Sequence, residues 1–384
     1  MSTRLGALSL LVSLSAAGCG KSSATTPYDA STDKAEATAD LAGHPGSDAS
    51  GGGGTSPAQD GAGGADSGNP GEGGARDAAD DRSSDHVDSG EEASTDASVT
   101  TCRRCSPYAM PVQVGTVGVA ALDSLSGLAV SRAQPDVIFA HNDRDRPVVY
   151  AIDPQGREHA QLTLTNAGTT ASDFEDIAVG PCGAATCIFL GDIGDNNAQR
   201  TQYAIVRFLQ PAVPTTPGTT AMAPAYDRFP FVYEDGSHNA EGLMVSPDGT
   251  IYVVTKVAPG TGGRVPATGP SSIYRLPALM TTASVATATK VATLPVPAGT
   301  DLAASAAAAH PCGLGFVLRT YDKVYEFTVP PGKGFEASFT TTPQVVGMPD
   351  EPQSEGIDYR ADGLGFVTSG EGAGAPIFQT GCAP

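Results

Sequence analysis

One layout recurs five times after residue 120: a small or acidic residue, a short apolar strand, a turn and a second apolar strand. The copies read SGLAVSRAQPDVIFAHND, EDIAVGPCGAATCIFLGDIGDN, EGLMVSPDGTIYVVTK, SAAAAHPCGLGFVLRTYD and EGIDYRADGLGFVTSGEG. Their first aligned position falls at Ser126, Glu175, Glu241, Ser305 and Glu355, and the second strand ends at Asn142, Asp192, Thr255, Arg319 and Ser369. A unit this small cannot bury its apolar face alone and must stack on its neighbours. A third strand follows each copy (VVYAID, YAIVRFL, SIYRLPA, KVYEFTV, PIFQT), and a fourth follows four of them (HAQLTL, FPFVY, KVATLPV, TPQVVGM). The fifth copy runs out of chain, and PVQVGTVGV at 111–119 is available to supply its outer strand. The expectation is an all-β fold, a β-propeller of five four-stranded blades, closed by pairing the two ends of the domain so that few edges stay exposed. Six blades is the alternative, with 211–228 and 257–271 as the places to hide another. The alanine run at 303–309 has helical propensity, but the repeat register makes it a strand.

Ahead of the repeats the composition changes. Residues 21–101 hold 16 of the 42 acidic and 4 of the 22 basic side chains, 14 glycines and a single aromatic, Tyr28. Such a stretch has too little apolar surface to offset the entropy of ordering. We read it as a solvated tether, residues 19–101, ahead of a propeller domain, 102–384. Residues 1–18 have the form of an exported protein's signal, with Arg4, the apolar run 5–14 and small residues after it. Ala16-Ala17-Gly18-Cys19 resembles a lipobox, which makes Cys19 the candidate lipidation site and the membrane a partner through that anchor. Gly20 at the next position points to the outer membrane. A net charge of −20 argues against nucleic acid as a partner.

Six cysteines remain, an even number that in an exported protein points to disulfides. Cys182 and Cys187 flank a turn between two apolar runs and suit a hairpin bridge. Pairing among Cys102, Cys105, Cys312 and Cys382 stays open.

In a propeller, the start of each inner strand and the end of its neighbour open on one face. Glu175, Asp176, Asp192, Asp195 and Asn196 are the candidate ligands there for a hard cation, calcium, which takes oxygen donors. The bland alternative is that the repeated glutamates cap backbone N–H groups of neighbouring blades, and this weighs most for Glu241 and Glu355. In a catalytic reading those two, or His141, would serve as general base. Lys256, Arg319 and Asn142 would bind substrate, the two cations holding phosphate or carboxylate.

FAHNDR, DFEDIAVGP, IFLGDIGDNNAQR, NAEGLMVSPDGTIYVVTK, LRTYDKVYEF and SEGIDYRADGLGFVTSGEG together resemble a family of exported bacterial β-propeller proteins, over about residues 120–380. The EG…G.LY pattern is more loosely similar to phytase-like and gluconolactonase-like propellers. That resemblance implies rim carboxylates holding a divalent ion for phosphoester or lactone hydrolysis, although the full set of phytase metal signatures is missing. Two functions follow as expectations. The first is a membrane-anchored binding or scaffold module, with a calcium-binding rim that engages a protein, a glycan or a small anion. The second is a calcium-dependent hydrolase of phosphoesters or lactones. A glycosidase using paired rim carboxylates is a weaker third.

Overall fold

The computed structural model describes residues 102–144, 147–257, 270–296 and 303–384. The signal segment, Cys19, the tether and most of the 257–271 connection lie outside the described residues. Among the described residues no helix is long and apolar enough to cross a membrane.

Strand β1 (Val112–Thr116) precedes the repeats. The first repeat forms β2 (Leu125–Val130), β3 (Ile138–Asn142), β4 (Val148–Ile152) and β5 (Glu158–Thr163). The second forms β6 (Phe174–Cys182), β7 (Ala185–Asp192), β8 (Tyr203–Leu209), a short β9 (Thr220–Met222) and β10 (Tyr226–Tyr233). The third forms β11 (Ala240–Val245), β12 (Ile251–Thr255), β13 (Ser272–Arg275) and β14 (Ala286–Thr293). The fourth forms β15 (Ala304–Ala309), β16 (Gly315–Thr320), β17 (Val324–Thr328) and β18 (Gln344–Val346), and the last forms β19 (Ser354–Tyr359), β20 (Phe366–Gly370) and β21 (Pro376–Thr380).

Each repeat is an antiparallel meander, and β1 pairs with β21 as the fourth strand of the last one. The first strands of the meanders pack in sequence, β2 on β6, β6 on β11, β11 on β15 and β15 on β19, and β19 packs back on β2. The architecture is therefore all-β and propeller-like. The 211–228 connection holds no further meander: its strand β9 runs parallel beside β5. Outer strands β10 and β14 likewise pair with each other, so three of the outer edges are covered.

Apolar side chains fall into five clusters, each between two consecutive sheets. The first joins Phe139 and Val149 to Phe174 and Ile188, and the fourth joins Leu128 and Tyr150 to Val367 and Ile377. Strand β15 is ASAAAA and buried throughout. Packing on both faces overrides its helical propensity, and methyl side chains let the neighbouring inner strands come close. The glycine of the EG pattern has the same cause: a Cβ on Gly356 would lie 2.8 Å from Leu128 Cγ.

The pairing of every inner strand slips at its second residue. Ser126, Glu175, Glu241, Ser305 and Glu355 are these residues, one bulge per repeat. A β-bulge leaves its residue unpaired and re-aims its side chain. The structure also corrects the strand-end alignment in the last two repeats. Leu125, Phe174, Ala240, Ala304 and Ser354 pair with Asn142, Asp192, Thr255, Thr320 and Gly370. Arg319 and Ser369 therefore sit one residue before the ends assigned to them, and a slip of one turns a side chain to the other side of the sheet.

Three disulfides are present. Cys182–Cys187 closes the β6–β7 hairpin, and the connectivity left open is Cys102–Cys312 and Cys105–Cys382.

Candidate functional site: the carboxylate mouth

Inner strands begin, and second strands end, at one face, which we call the mouth. The bulge residues supply an inner ring there. One residue past the end of each second strand comes Asp143, Ile193, Lys256, Tyr321 and Glu371, one per repeat.

Glu175, Glu241 and Glu355 are at most 6% exposed, yet none accepts a backbone N–H among the hydrogen bonds of the described residues. Ser126 Oγ donates to Glu175 O at 2.5 Å and lies 3.4 Å from its Oε2. Lys256 Nζ donates to Glu241 Oε1 at 2.9 Å and to the Tyr321 hydroxyl oxygen (Oη) at 2.7 Å. Glu355 receives only the amide of Gln353 at 3.4 Å, and its Oε2 is buried without a hydrogen-bond partner, as is Ser305 Oγ. Burial raises Glu175 well above the usual carboxylate range, and the charges of Glu241, Asp173 and Asp143 push it further. Burial likewise raises Glu355 well above that range, against the pull of Lys256.

Beside this ring lies a tighter group. Asp143, Asp173 and Glu175 can each present one oxygen with all three within 4.8 Å of one another. Asp143 reaches solvent at the rim, but the walls of the mouth desolvate it, and this together with Asp173 and Glu241 raises its pKa. The loop after β7 approaches from below with Gly194. A Cβ there would lie 2.1 Å from Glu175 Oε1 and 2.4 Å from Asp173 Oδ2, so only glycine leaves the space before these oxygens open. Three hard oxygen donors, held close with no guanidinium or ammonium bonded to Glu175 or Asp173 among the described hydrogen bonds, form a cluster that could hold a metal ion.

The other proposed ligands stand elsewhere. Asp192 is fully buried and takes Arg200 at 2.6 Å, Arg228 at 2.6 Å, Ser172 Oγ at 2.9 Å and Asp173 N at 3.0 Å. Asp195 caps its own loop, accepting Gln199 N and Arg200 N at 2.9 Å and Tyr203 OH at 2.8 Å. Asn196 Oδ1 accepts from Asn239 Nδ2. Asp176 lies deeper in the channel and accepts Ile177 N, Leu243 N and Ala307 N at 2.9, 2.7 and 3.3 Å, joining three inner strands. The structure thus brings only Glu175 of the five into the oxygen cluster.

Among the remaining candidates, Glu241, Glu355 and Lys256 share the mouth. Asn142 instead ties loop backbone, accepting Ser124 N and donating to Ala121 O. Arg319 is wholly buried and bonds Glu351, Gly356 O and Ser369 O. His141 is also wholly buried, with Nδ1 at 2.9 Å from Asn142 O and Nε2 unpartnered, and burial lowers its pKa to about 4. Asp143, Asp173 and Tyr321 are not among the predicted site residues. A register ending at Thr320 instead of Arg319 would have pointed to Tyr321, and Asp173 stands two residues ahead of a bulge acid in SDFED.

No protein-family model matches the chain, and no curated protein matches it in sequence. Among solved structures, a structural-genomics protein assigned as a gluconolactonase is 12% identical, with 72% of this chain and 92% of that one covered and a TM-score of 0.37. The Malassezia sympodialis allergen Mala s 1 is 11% identical, with 71% and 96% covered and a TM-score of 0.45. The soluble aldose sugar dehydrogenase of Escherichia coli is 9% identical, with 71% and 99% covered and a TM-score of 0.39. The chain is loosely similar to gluconolactonase-like and sugar dehydrogenase structures, a likeness of fold alone.

Proposed function

We propose that the domain is a binding module, a five-bladed propeller closed by β1 and β21, whose mouth holds one divalent cation on Asp143, Asp173 and Glu175. The observation that carries this reading is the convergence of those three oxygens, two of them over Gly194. Carboxylates this close, with Glu175 buried among them, need a proton or a cation to coexist. Calcium suits the donor set, and a set of three leaves further coordination positions for water or for a bound partner's oxygens. When bound, the ion would supply a local positive charge in an otherwise acidic mouth, through which a glycan, a protein carboxylate or a small anion would be recruited. Among the described residues the mouth carries several acids beside one lysine, Lys256, so a bound ion would favour the entry of an anion. With the tether and a lipid on Cys19, such a module would stand at the outer membrane.

Calorimetric titration of the apo protein with calcium tests this, followed by thermal melts with and without a chelator. Stoichiometric binding is expected. A protein that takes up no divalent ion, and melts identically in calcium and chelator, overturns the reading.

A second reading, hydrolysis of phosphoesters or lactones, rests on Glu355. A buried carboxyl with one unpartnered oxygen and a raised pKa is a candidate general acid or base. Turnover of nitrophenyl phosphate or of a sugar lactone that Glu355→Gln abolishes would support it. No turnover above background would leave the binding module.

A further inference from the structure

The face opposite the mouth carries a different device. Strand β21 runs away from the mouth, so the C-terminal residues lie at the far face, and β1, antiparallel to it, begins there too. The far-face turns include the one after β15, which holds Cys312, and the one after β19, which holds Gly363. Residues 102–109 are bound into this face at many points. Cys102 is joined to Cys312 and Cys105 to Cys382. Ala109 N donates to Gly381 O at 2.8 Å, and Ala383 N donates to Pro107 O at 3.0 Å. Tyr108 OH donates to Glu326 Oε1 at 2.6 Å, and Arg104 bonds the other oxygen of Glu326 at 3.3 Å. His310 Nε2 lies 3.2 Å from both Arg103 O and Gly363 O.

We propose that this segment is a covalent clasp. It receives the incoming chain on the face opposite the carboxylate mouth and diverts any pull on that chain away from the β1–β21 seam. The seam is where the ring of sheets is closed by strands from the two ends of the domain, held by a few backbone hydrogen bonds, one of its pairings slipping between Gln113 and Gly115. Any force on the chain ahead of Cys102 meets the bond to Cys312 first, which passes it into the fourth meander. Force that reaches Cys105 passes to Cys382, beyond the end of β21. The Cys105–Cys382 bond sets both seam strands in parallel with a covalent path, so they carry little load, while Cys102–Cys312 by itself shields β1 and leaves β21 in line with the pull. The chain enters the domain at Cys102 on the end of the channel opposite the mouth. The clasp stands independently of the cation site, since it shares no residue with it.

The test is to stretch the full chain between a handle ahead of Cys102 and one at the C-terminus. With both disulfides intact, the domain should give no unfolding step. With reductant present it should release its 283 residues, roughly 1,000 Å at about 3.5 Å per residue. In a Cys105→Ser/Cys382→Ser variant only the 72 residues after Cys312 are outside a closed loop, so the step should shrink to roughly 250 Å. The Cys102→Ser/Cys312→Ser variant should give no step. A full-length step from the oxidised native chain, or from either variant, overturns the clasp. Should the variants fail to fold, the native chain with and without reductant decides. Hydrogen exchange supplies the second readout: after reduction the amides of β1 should exchange at least tenfold faster while those of β11 and β12 hold. Unchanged exchange at β1 overturns the protection of the seam.

Discussion

Two sets of carboxylates share the central channel, and their fates differ. At mid-channel, Asp176 and Asp358 point at backbone: Asp176 accepts N–H groups from three strands, while Asp358 accepts Val130 N and Tyr359 N at 2.7 Å and pairs with Arg132 at 2.9 Å. At the mouth, Glu175, Glu241 and Glu355 lie near one another and near Lys256. Burial raises both sets. Hydrogen bonds pull Asp176 partly back, whereas its neighbours push Glu175 further up. A saturated carboxylate fastens strands, and an unsaturated one is left to recruit a proton, an ammonium or a metal.

The largest test of this contrast removes one member of each set. Asp176→Ala strands two buried cross-strand N–H groups, those of Leu243 and Ala307, and should cost about 3–5 kcal/mol in urea unfolding. Glu175→Gln should leave apo stability equal or higher, because it removes a charge that folding confines. Comparable losses from both would break the contrast.

Next comes His141, which belongs with the mid-channel set. Its folded pKa of about 4 lies below the unfolded value near 6.5, so the unfolded chain takes the proton first as pH falls. Its contribution is intact above pH 6.5 and declines as pH drops toward 4, by on the order of 3 kcal/mol in all. The mouth carboxylates have raised pKa values and run with the opposite sign, so the quantity to measure is the difference between native protein and His141→Gln across that window. A flat difference would show that His141 titrates as an ordinary surface histidine.

Calcium sharpens the comparison further. At a hundredfold excess over its Kd it should add about 2.7 kcal/mol to stability, read as a rise in Tm. Asp173→Asn with Glu175→Gln should abolish that rise. Asp195→Asn, which removes a loop cap, should lower Tm yet leave calcium affinity within about threefold; loss of affinity there would move the ion to the Asp192–Asn196 loop. The smallest effect concerns Lys256, the built-in cation of the mouth. Lys256→Met should tighten calcium roughly tenfold, about 1.4 kcal/mol, by removing a like charge. Unchanged or weaker binding would show that the ammonium and the ion do not share one field.

The fold was legible because its signal is periodic. Strand order and the outer strand drawn from 111–119 follow from five aligned copies, whose shared first position proves to be the bulge of each repeat, and even the alanine run yields to that register. The site was half legible. Glu175, Glu241, Glu355 and Lys256 were found at the mouth because they recur at one register position or lie one residue past a strand end. Arg319 was misplaced by a single residue, which in a strand is the difference between the mouth and a sealed contact with Glu351. Asp192 and Asp195 looked like ligands because an acidic loop looks the same whether its oxygens are free or taken.

The amino-acid sequence alone determined the repeat, the all-β class and four of the side chains at the mouth, since alternation and spacing are local properties of the chain. Tertiary structure alone decided which carboxylates are satisfied. Arg228 and Asp192 are 36 residues apart, Asp176 and Ala307 N are 131 apart, and Cys105 and Cys382 are 277 apart. Partners so distant are chosen by how the sheets stack, and that choice separates a fastener from a binding site.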